Sequence, residues 1–378
     1  MHSLDDARAV CETHLPGLLS RLSEVPLAEL EKPESPGLDL FRAAGGPGLV
    51  IPAHHGGRGA SALEAVRTAR AIGAAAPSLA VASTMHHFSV ATVFALAESL
   101  RSSGLEWALL EGIAEQNLLV ASGFAEGNPG QSVLAPTASG TPVDGGVLVN
   151  GSKRPCSMSR SMDLLSASIA VEGEDGRQEN VLMLLPAGTP GLSVHPFWNS
   201  SVLAGAQSDE VRLTDVFVEE HLLVPVSPPR DGETDALQTI GFIWFEMLIT
   251  ACYLGMASAL VEKVFASPRA GHSLVADLGI KIETAAQLVD GIAHLIMTDT
   301  YDNAALTRAM VARYGAQEAI GDAARHAVEA LGGMAYIRSP EVAYLASACH
   351  CVNFHPPSRA ATSAALVSAF RGDALRLA

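Results

Sequence analysis

The apolar pattern of the chain changes its period twice, near residue 118 and again near residue 225. Before the first change, apolar residues recur at three- and four-residue spacing, for example at Leu18, Leu22 and 65–72, which indicates helices. Between the two changes, short stretches alternate apolar and polar residues and are separated by turn residues, which indicates strands. Beyond residue 225 the helical spacing returns and continues to the end of the chain.

This order predicts an α+β multidomain protein. We expect an N-terminal helical domain (1–118), a middle β-barrel or sandwich (119–228) and a C-terminal four-helix bundle (229–378). The chain has 378 residues, which is enough to bury a sizeable core in each domain. The four bundle helices are expected at 240–266, 276–300, 303–331 and 341–351.

Two dipeptides that contain glycine mark expected breaks. Asn150-Gly151 lies in the strand-like stretch 146–153 and predicts a hairpin turn after the strand. Gly332-Gly333 follows a long run of good helix formers and predicts the end of a helix.

Charge and cysteine usage exclude several classes of protein. Lys and Arg total 24 against 40 Asp and Glu, a net charge of −16, so we expect no nucleic-acid partner. The five cysteines are scattered and odd in number, which favours reduced thiols and a cytoplasmic location. The N-terminus lacks the apolar core of a signal peptide. No stretch reaches the ~18 uninterrupted apolar residues of a membrane span.

The segment CHCVNFHPPSRAA (349–361) raises the question of a metal site. Cys349 and Cys351 would point about 200° apart on a helix, and structural zinc sites use a different ligand spacing. We therefore expect no metal here. The cysteines are expected to pack as small apolar residues, and the double proline after His355 to end the helix.

Five segments follow one another along the chain: GLVIPAHHGGRGAS (48–61), SGFAEGNPGQS (122–132), LVNGSKRPCSMSRSMDLLSASIAV (148–171), AGAQSDEVRLTDVFVEEHLLVP (204–225) and ALGGMAYIRSPEVAYL (330–345). Taken in this order, they resemble motifs of the acyl-CoA dehydrogenase superfamily of flavoproteins. The resemblance implies the same order of three domains, FAD bound between the β-domain and the bundle, and assembly as a homodimer or homotetramer.

The chain departs from the family at one cofactor motif. An Arg-Phe-Gln pattern usually holds the FAD of a neighbouring subunit between the first two bundle helices. The corresponding stretch here, 267–279, is shorter and has neither Phe nor Gln, which leaves Arg269 as a remnant. FMN is therefore an open alternative to FAD.

The resemblance also implies cofactor contacts. The family's flavin ring lies against the loop that corresponds to Glu126–Ser132, and against the segment after Lys153. For Ser132 and Ser157 the alternative is that their hydroxyls only stabilise turns. For Gly332-Gly333 the alternative is a helix cap. The residues expected at the cofactor are Glu126, Gln131 or Ser132, Cys156, Ser157, Gly332, Gly333 and Ser358.

The usual catalytic glutamate of the family is missing. Its position falls on Pro356, and the second position at which some members keep the base falls on Phe245. The next residue, Glu246, is a candidate base if the first bundle helix is locally shifted, because one residue turns a helical side chain by about 100°. Its alternative is a buried salt bridge. His355 is the second candidate catalytic residue because it flanks the lost glutamate.

Three functions follow from the resemblance. The first is an FAD-dependent dehydrogenase of acyl thioesters, on CoA or a carrier protein, in which a carboxylate takes the proton and flavin takes the hydride. It would pass its electrons to a flavoprotein acceptor. The second is a flavin-dependent monooxygenase on the same fold, supplied by a flavin reductase, in which His355 would orient the substrate or the oxygenated flavin. The third is a non-catalytic acyl-binding homologue.

Overall fold

A computed structural model describes residues 1–99, 102–128, 132, 134–173, 176–226, 235–268 and 270–377. The candidate residues Gln131 and Arg269 lie outside this description. Helices, then strands, then helices follow one another along the chain, as the change of apolar period predicts.

The N-terminal part is helical. The capping box between Ser61 and Glu64 starts α5: the Ser61 N–H donates to the Glu64 carboxylate at 2.8 Å. Pro77 begins α6, where its fixed φ suits the first helical turn. The helices are α1 (His2–His14), α2 (Leu18–Ser23), α3 (Leu27–Leu30), α4 (Gly37–Ala43), α5 (Ala62–Ala75), α6 (Pro77–Glu98) and α7 (Leu105–Gln116).

The middle part is one eight-stranded sheet with the order β6-β7-β3-β2-β4-β5-β8, and β1 pairs in parallel with the first half of β4. Within the described residues the pairing ends at β6 and β8, so the barrel or sandwich predicted from the sequence is instead an open sheet. The strands are β1 (Val120–Gly123), β2 (Ser139–Val143), β3 (Gly146–Cys156), β4 (Leu164–Glu172), β5 (Gln178–Pro186), β6 (Leu192–His195), β7 (Asp209–Glu219) and β8 (Leu223–Pro225).

The turn predicted at Asn150-Gly151 is wrong. Strand β3 continues through both residues, and its register against β7 shifts between Val149 and Gly151, as at a β-bulge. The hairpin between β2 and β3 turns at Asp144-Gly145 instead, where Gly145 has a φ of +76°. Both dipeptides favour turns, and strand pairing decides which of them forms one.

The described C-terminal residues contain the four helices expected from the sequence, together with two further helices. The helix end predicted at Gly332-Gly333 is confirmed, because α10 stops at Leu331 and Gly332 has a φ of +79°. The helices are α8 (Ala236–Phe265), α9 (His272–Met297), α10 (Asn303–Leu331), α11 (Gly333–Arg338), α12 (Pro340–Cys349) and α13 (Arg359–Phe370).

Helix α8 is the centre of the molecule and packs on α5 and α6 as well as on α9 and α10. Two glycines permit its close crossing with α5. A Cβ at Gly255 would overlap the carbonyl oxygen of Arg70, and one at Gly73 would overlap that of Cys252. The backbones can approach this closely because neither position carries a side chain.

Helices α6 and α8 are long and apolar enough to cross a membrane by composition alone. In the fold, however, 78% and 89% of their most apolar windows are buried inside the protein. A helix that is apolar all round is also what the core of a large soluble fold requires. Both helices therefore serve here as core elements.

Candidate functional site

A cavity of about 450 Å³ lies where the three parts of the chain meet. Helix α6 forms one wall, the first turns of α8 form a second, and strands β1, β3, β4 and β5 contribute a third. The segments 198–208 and 351–356 cover the remaining sides. Its size is that of a site for a small molecule or cofactor.

Aromatic side chains make up much of the cavity wall. The ring of Phe88 on α6 lies 5.8 Å from that of Phe124 and 5.5 Å from that of Phe245. Trp198 and Phe242 extend this surface. Such walls suit a flat ring system or an alkyl group.

A small number of serines supply the polar groups of the sheet side. The hydroxyls of Ser157 and Ser208 lie 2.9 Å apart, and both residues line the cavity. Ser168 also lines it, and its buried hydroxyl has no hydrogen-bond partner in the described part of the chain. A buried hydroxyl without a partner is unfavourable, so Ser168 is suited to bond a ligand placed here. Ser132 accepts a bond from the Leu134 N–H at 3.1 Å.

Glu126 lines the cavity but is fully engaged by the protein. The Lys153 ammonium donates to it at 2.6 Å, and the Ala138 N–H donates at 3.0 Å. The hydroxyl and N–H of Thr137 donate to it as well. Burial opposes ionisation, but the bonds from Ala138, Lys153 and Thr137 outweigh it and lower the pKa of Glu126 to about 2. The carboxylate therefore anchors its loop to the sheet.

His355 lies on the side of the cavity opposite the sheet. Its Nε2 is 2.6 Å from the hydroxyl of Tyr253, which comes from α8. Burial and then the positive charge of Arg313 lower the pKa of His355 to about 3, while burial raises the pKa of Tyr253. We therefore assign the hydroxyl as donor to a neutral imidazole, whose Nδ1 then carries the hydrogen.

The candidate base Glu246 is not among the residues that line the cavity. It is completely buried, and its Oε2 lies 2.5 Å from Nε of Arg313 on α10. Burial raises the pKa of Glu246 to about 7 in spite of that positive charge. Helix α8 is regular at this point, so Phe245 faces the cavity and Glu246 faces the bundle. This arrangement favours the salt-bridge alternative.

Four other candidate residues do not line the cavity. Cys156 is completely buried, and burial raises the pKa of its thiol to about 12. Ser358 caps α13 by accepting a bond from the Ala361 N–H at 3.2 Å. Gly332 and Gly333 lie at the junction of α10 and α11. A role of these four residues in cofactor binding stays a prediction, because none of them lines the cavity of the single chain.

Three important residues were missed from the sequence. Trp198 belongs to an irregular segment with no periodic signal. Tyr253 and Arg313 lie on apolar helix faces, and Arg313 sits three residues after the buried Met310 and three before the buried Ala316. An arginine on an otherwise apolar helix face could have been recognised in the sequence as a buried, functionally important residue. In the described ranges, no group of three His, Cys, Asp or Glu side chains is placed to hold a metal.

Comparison with known proteins identifies relatives of the chain. Isobutylamine N-hydroxylase from Streptomyces viridifaciens is 48% identical over 378 residues, the whole of both chains. A putative acyl-CoA dehydrogenase of Bacillus subtilis (strain 168), YdbM, is 27% identical over 63% of this chain and 60% of its own. No family model matches the chain.

A solved structure gives the same fold at low sequence identity. KijD3, in complex with FMN and dTDP-3-amino-2,3,6-trideoxy-4-keto-3-methyl-D-glucose, superposes with a TM-score of 0.83 at 19% identity. The match covers 97% of this chain and 94% of that one. The family indicated by the five motifs is thus confirmed, and the chain belongs to the acyl-CoA dehydrogenase-like superfamily of flavin enzymes.

Proposed function

We propose that this protein is a flavin-dependent monooxygenase that hydroxylates the nitrogen of a small aliphatic amine. The observation that carries the proposal is the absence of a free carboxylate from the described cavity lining. The two positions at which the family keeps its base, Phe245 and Pro356, both line the cavity, and neither side chain can accept a proton. This observation distinguishes the two reactions, because dehydrogenation requires a base that removes a proton from carbon, whereas oxygenation does not.

The acyl-thioester dehydrogenase has less support. Proton removal from carbon requires a base within hydrogen-bond reach of the substrate. Glu126 is held by four donor groups, and Glu246 lies behind the cavity wall. The imidazole of His355 remains, but the Tyr253 hydroxyl occupies its Nε2. The alternative that needs no carboxylate base fits these contacts better.

The cavity suits a flavin. FMN is bound by KijD3, and either FMN or FAD presents the same ring system to the cavity. The ring would lie against the aromatic wall, with the backbone of 125–128 and the hydroxyls of Ser157 and Ser168 at its polar edge. When bound and reduced, the flavin supplies the electrons that activate molecular oxygen. A flavin reductase is the partner that this chemistry requires.

The residues of the cavity fit an amine with a short alkyl group. Phe88, Phe242 and Phe245 present apolar surface to the alkyl group. His355 offers its Nδ1 side to the nitrogen, since Tyr253 occupies the other ring nitrogen. The full-length similarity to isobutylamine N-hydroxylase supports this class of substrate and makes isobutylamine the first compound to test.

The test supplies purified protein with FMN, a flavin reductase, NADH, isobutylamine and ¹⁸O-labelled oxygen. We expect an N-hydroxylated amine that contains one labelled oxygen atom, detected by mass spectrometry. The parallel arm mixes flavin-loaded protein with acyl-CoA in the absence of oxygen. Bleaching of the flavin in that arm, with no labelled amine product in the first, would overturn the proposal in favour of dehydrogenation.

A further inference from the structure

One guanidinium group holds the backbone of the segment that carries His355. Arg313 is completely buried on α10. It donates to the carbonyl oxygens of Val352, His355 and Pro357, each at 3.2 Å. These three acceptors lie in the segment 352–357, which covers one side of the cavity. A planar guanidinium can reach several acceptors at fixed angles, as a lysine cannot.

Helix α8 holds the same segment at two further points. Glu246 pairs with Nε of Arg313 at 2.5 Å and so holds the guanidinium from behind. Tyr253, about two turns further along the same face of α8, binds the side chain of His355. The backbone of His355 is therefore bonded by a residue of α10, and its side chain by a residue of α8.

We propose that Arg313, held by Glu246, is a positioning residue that fixes segment 352–357 and places His355 on the cavity wall. The placement of the segment stands on the contacts alone. The effect of this placement on amine binding rests on the proposed function. Glu246 thereby has a role although it does not touch the cavity.

Stability does not explain why this pair is charged. Two buried charges lose their hydration, and apolar side chains of similar volume commonly stabilise a core equally well or better. An apolar pair at 246 and 313 would fill the space between α8 and α10. It would leave the carbonyl oxygens of Val352 and His355 without the Arg313 donor, and that of Pro357 with the Tyr314 hydroxyl alone. The contacts to 352–357 are what distinguish the ion pair from an apolar pair.

The surroundings of His355 agree with this role. The titratable and charged groups that the described structure places against His355 and its segment are Tyr253 from α8, Arg313 and Tyr314 from α10, and Cys351 from the segment itself. Glu246 on α8 contacts Arg313. Arg313 disfavours a charged imidazole, in addition to burial. Removing Arg313 should therefore loosen the segment and also make His355 easier to protonate.

The experiment compares Arg313→Met with the double variant Glu246→Met/Arg313→Met. The single variant leaves a buried carboxylate without its partner and is expected to be unstable. The double variant removes both charges and should fold with a thermal midpoint close to that of the wild type. Arg325→Met, on the exposed face of the same helix, is the matched control.

The first measurement is amide hydrogen exchange over 350–358 in protein without flavin. We expect exchange to accelerate about tenfold or more in the double variant, because three buried hydrogen bonds are lost. Exchange elsewhere in α8 and α10, and everywhere in the control, should stay as in the wild type. A double variant that folds and exchanges at the wild-type rate would overturn the proposal.

The second measurement is steady-state hydroxylation of isobutylamine at several pH values. We expect KM for the amine to rise about tenfold in the double variant with flavin affinity unchanged. The acid side of the pH profile should move to higher pH, because Arg313 is one of the two causes that lower the pKa of His355. An unchanged KM and pH profile would also contradict the proposal. If the wild type makes no product while exchange still accelerates, the proposed function fails and the positioning role stands.

Discussion

Two buried carboxylates, each beside one cation, behave in opposite ways. Glu126 pairs with Lys153 at the cavity, and its pKa falls to about 2. Glu246 pairs with Arg313 inside the bundle, and its pKa rises to about 7. Glu126 also accepts bonds from Thr137 and Ala138, whereas no such bond reaches Glu246 from the described residues. Burial opposes ionisation of both carboxylates: at Glu246 it outweighs the single cation, whereas at Glu126 the added hydrogen bonds outweigh it.

The largest effect is expected for Glu126→Gln. The substitution leaves the buried Lys153 ammonium without a counter-charge and weakens the bonds from Thr137 and Ala138. The free energy of unfolding should fall by about 3–5 kcal/mol, the usual consequence of breaking a buried pair. Chemical denaturation at pH 7 measures it. A loss below about 1 kcal/mol would mean that the charge at Glu126 contributes little.

Glu246 and Glu126 are expected to make the stability of the protein depend on pH in opposite directions. The folded pKa of Glu246, about 7, lies above its ordinary value of 4.5, so its contribution is fully present below pH 4.5 and declines as the pH rises toward 7. Glu126 acts in the other direction: its contribution is present above pH 4.5 and is lost as the pH falls toward 2.

Glu246→Gln tests this difference because glutamine resembles the protonated acid. Relative to the wild type, its unfolding free energy should increase by about 3 kcal/mol between pH 4.5 and 7, since one pKa unit corresponds to about 1.4 kcal/mol. Denaturation curves at a series of pH values measure the difference. A constant offset over this range would show that Glu246 does not titrate as described.

A smaller effect is expected for Tyr253→Phe. The change removes the hydroxyl that binds Nε2 of His355 and leaves the volume of the side chain almost unchanged. The unfolding free energy should fall by about 1 kcal/mol, the net value of one hydrogen bond. We expect kcat/KM for the amine to fall about tenfold with flavin affinity retained. Full activity would exclude a role for this contact in placing His355.

The smallest effect is expected for an exposed ion pair. Lys263 on α8 and Glu341 on α12 lie 2.6 Å apart, and water reaches both side chains. Lys263→Met should change the unfolding free energy by less than about 0.5 kcal/mol, because solvent screens the charges. Chemical denaturation of Lys263→Met and Glu126→Gln under the same conditions measures the difference between the two losses. A comparable loss in both variants would refute the view that burial and added hydrogen bonds matter more than pairing.

The sequence predicts the order of elements because apolar period is a local property. The segment expected at 303–331 coincides with α10, and that expected at 240–266 nearly coincides with α8. The open sheet was not predicted, because closure depends on which distant strands pair. The same is true of Asn150-Gly151, which becomes a bulge only when β3 meets β7.

The candidate site was predictable in part. The 100° turn between successive helical residues correctly places Phe245 toward the cavity and Glu246 away from it. The loop around Glu126, together with Ser157 and His355, also comes to the cavity. The contacts of His355 with Tyr253 and Arg313 join residues far apart in the chain, so no local pattern contains them.

Different parts of helix α8 contact different parts of the molecule. Its first turns, including Gln238, Phe242 and Phe245, face the cavity, whereas Gly255 is pressed against α5. An engineer who wants to change what the cavity binds can therefore vary the first end of α8, whereas Gly255 tolerates no added atom. Libraries confined to the first three turns can reshape recognition while the crossing that organises the whole molecule stays intact.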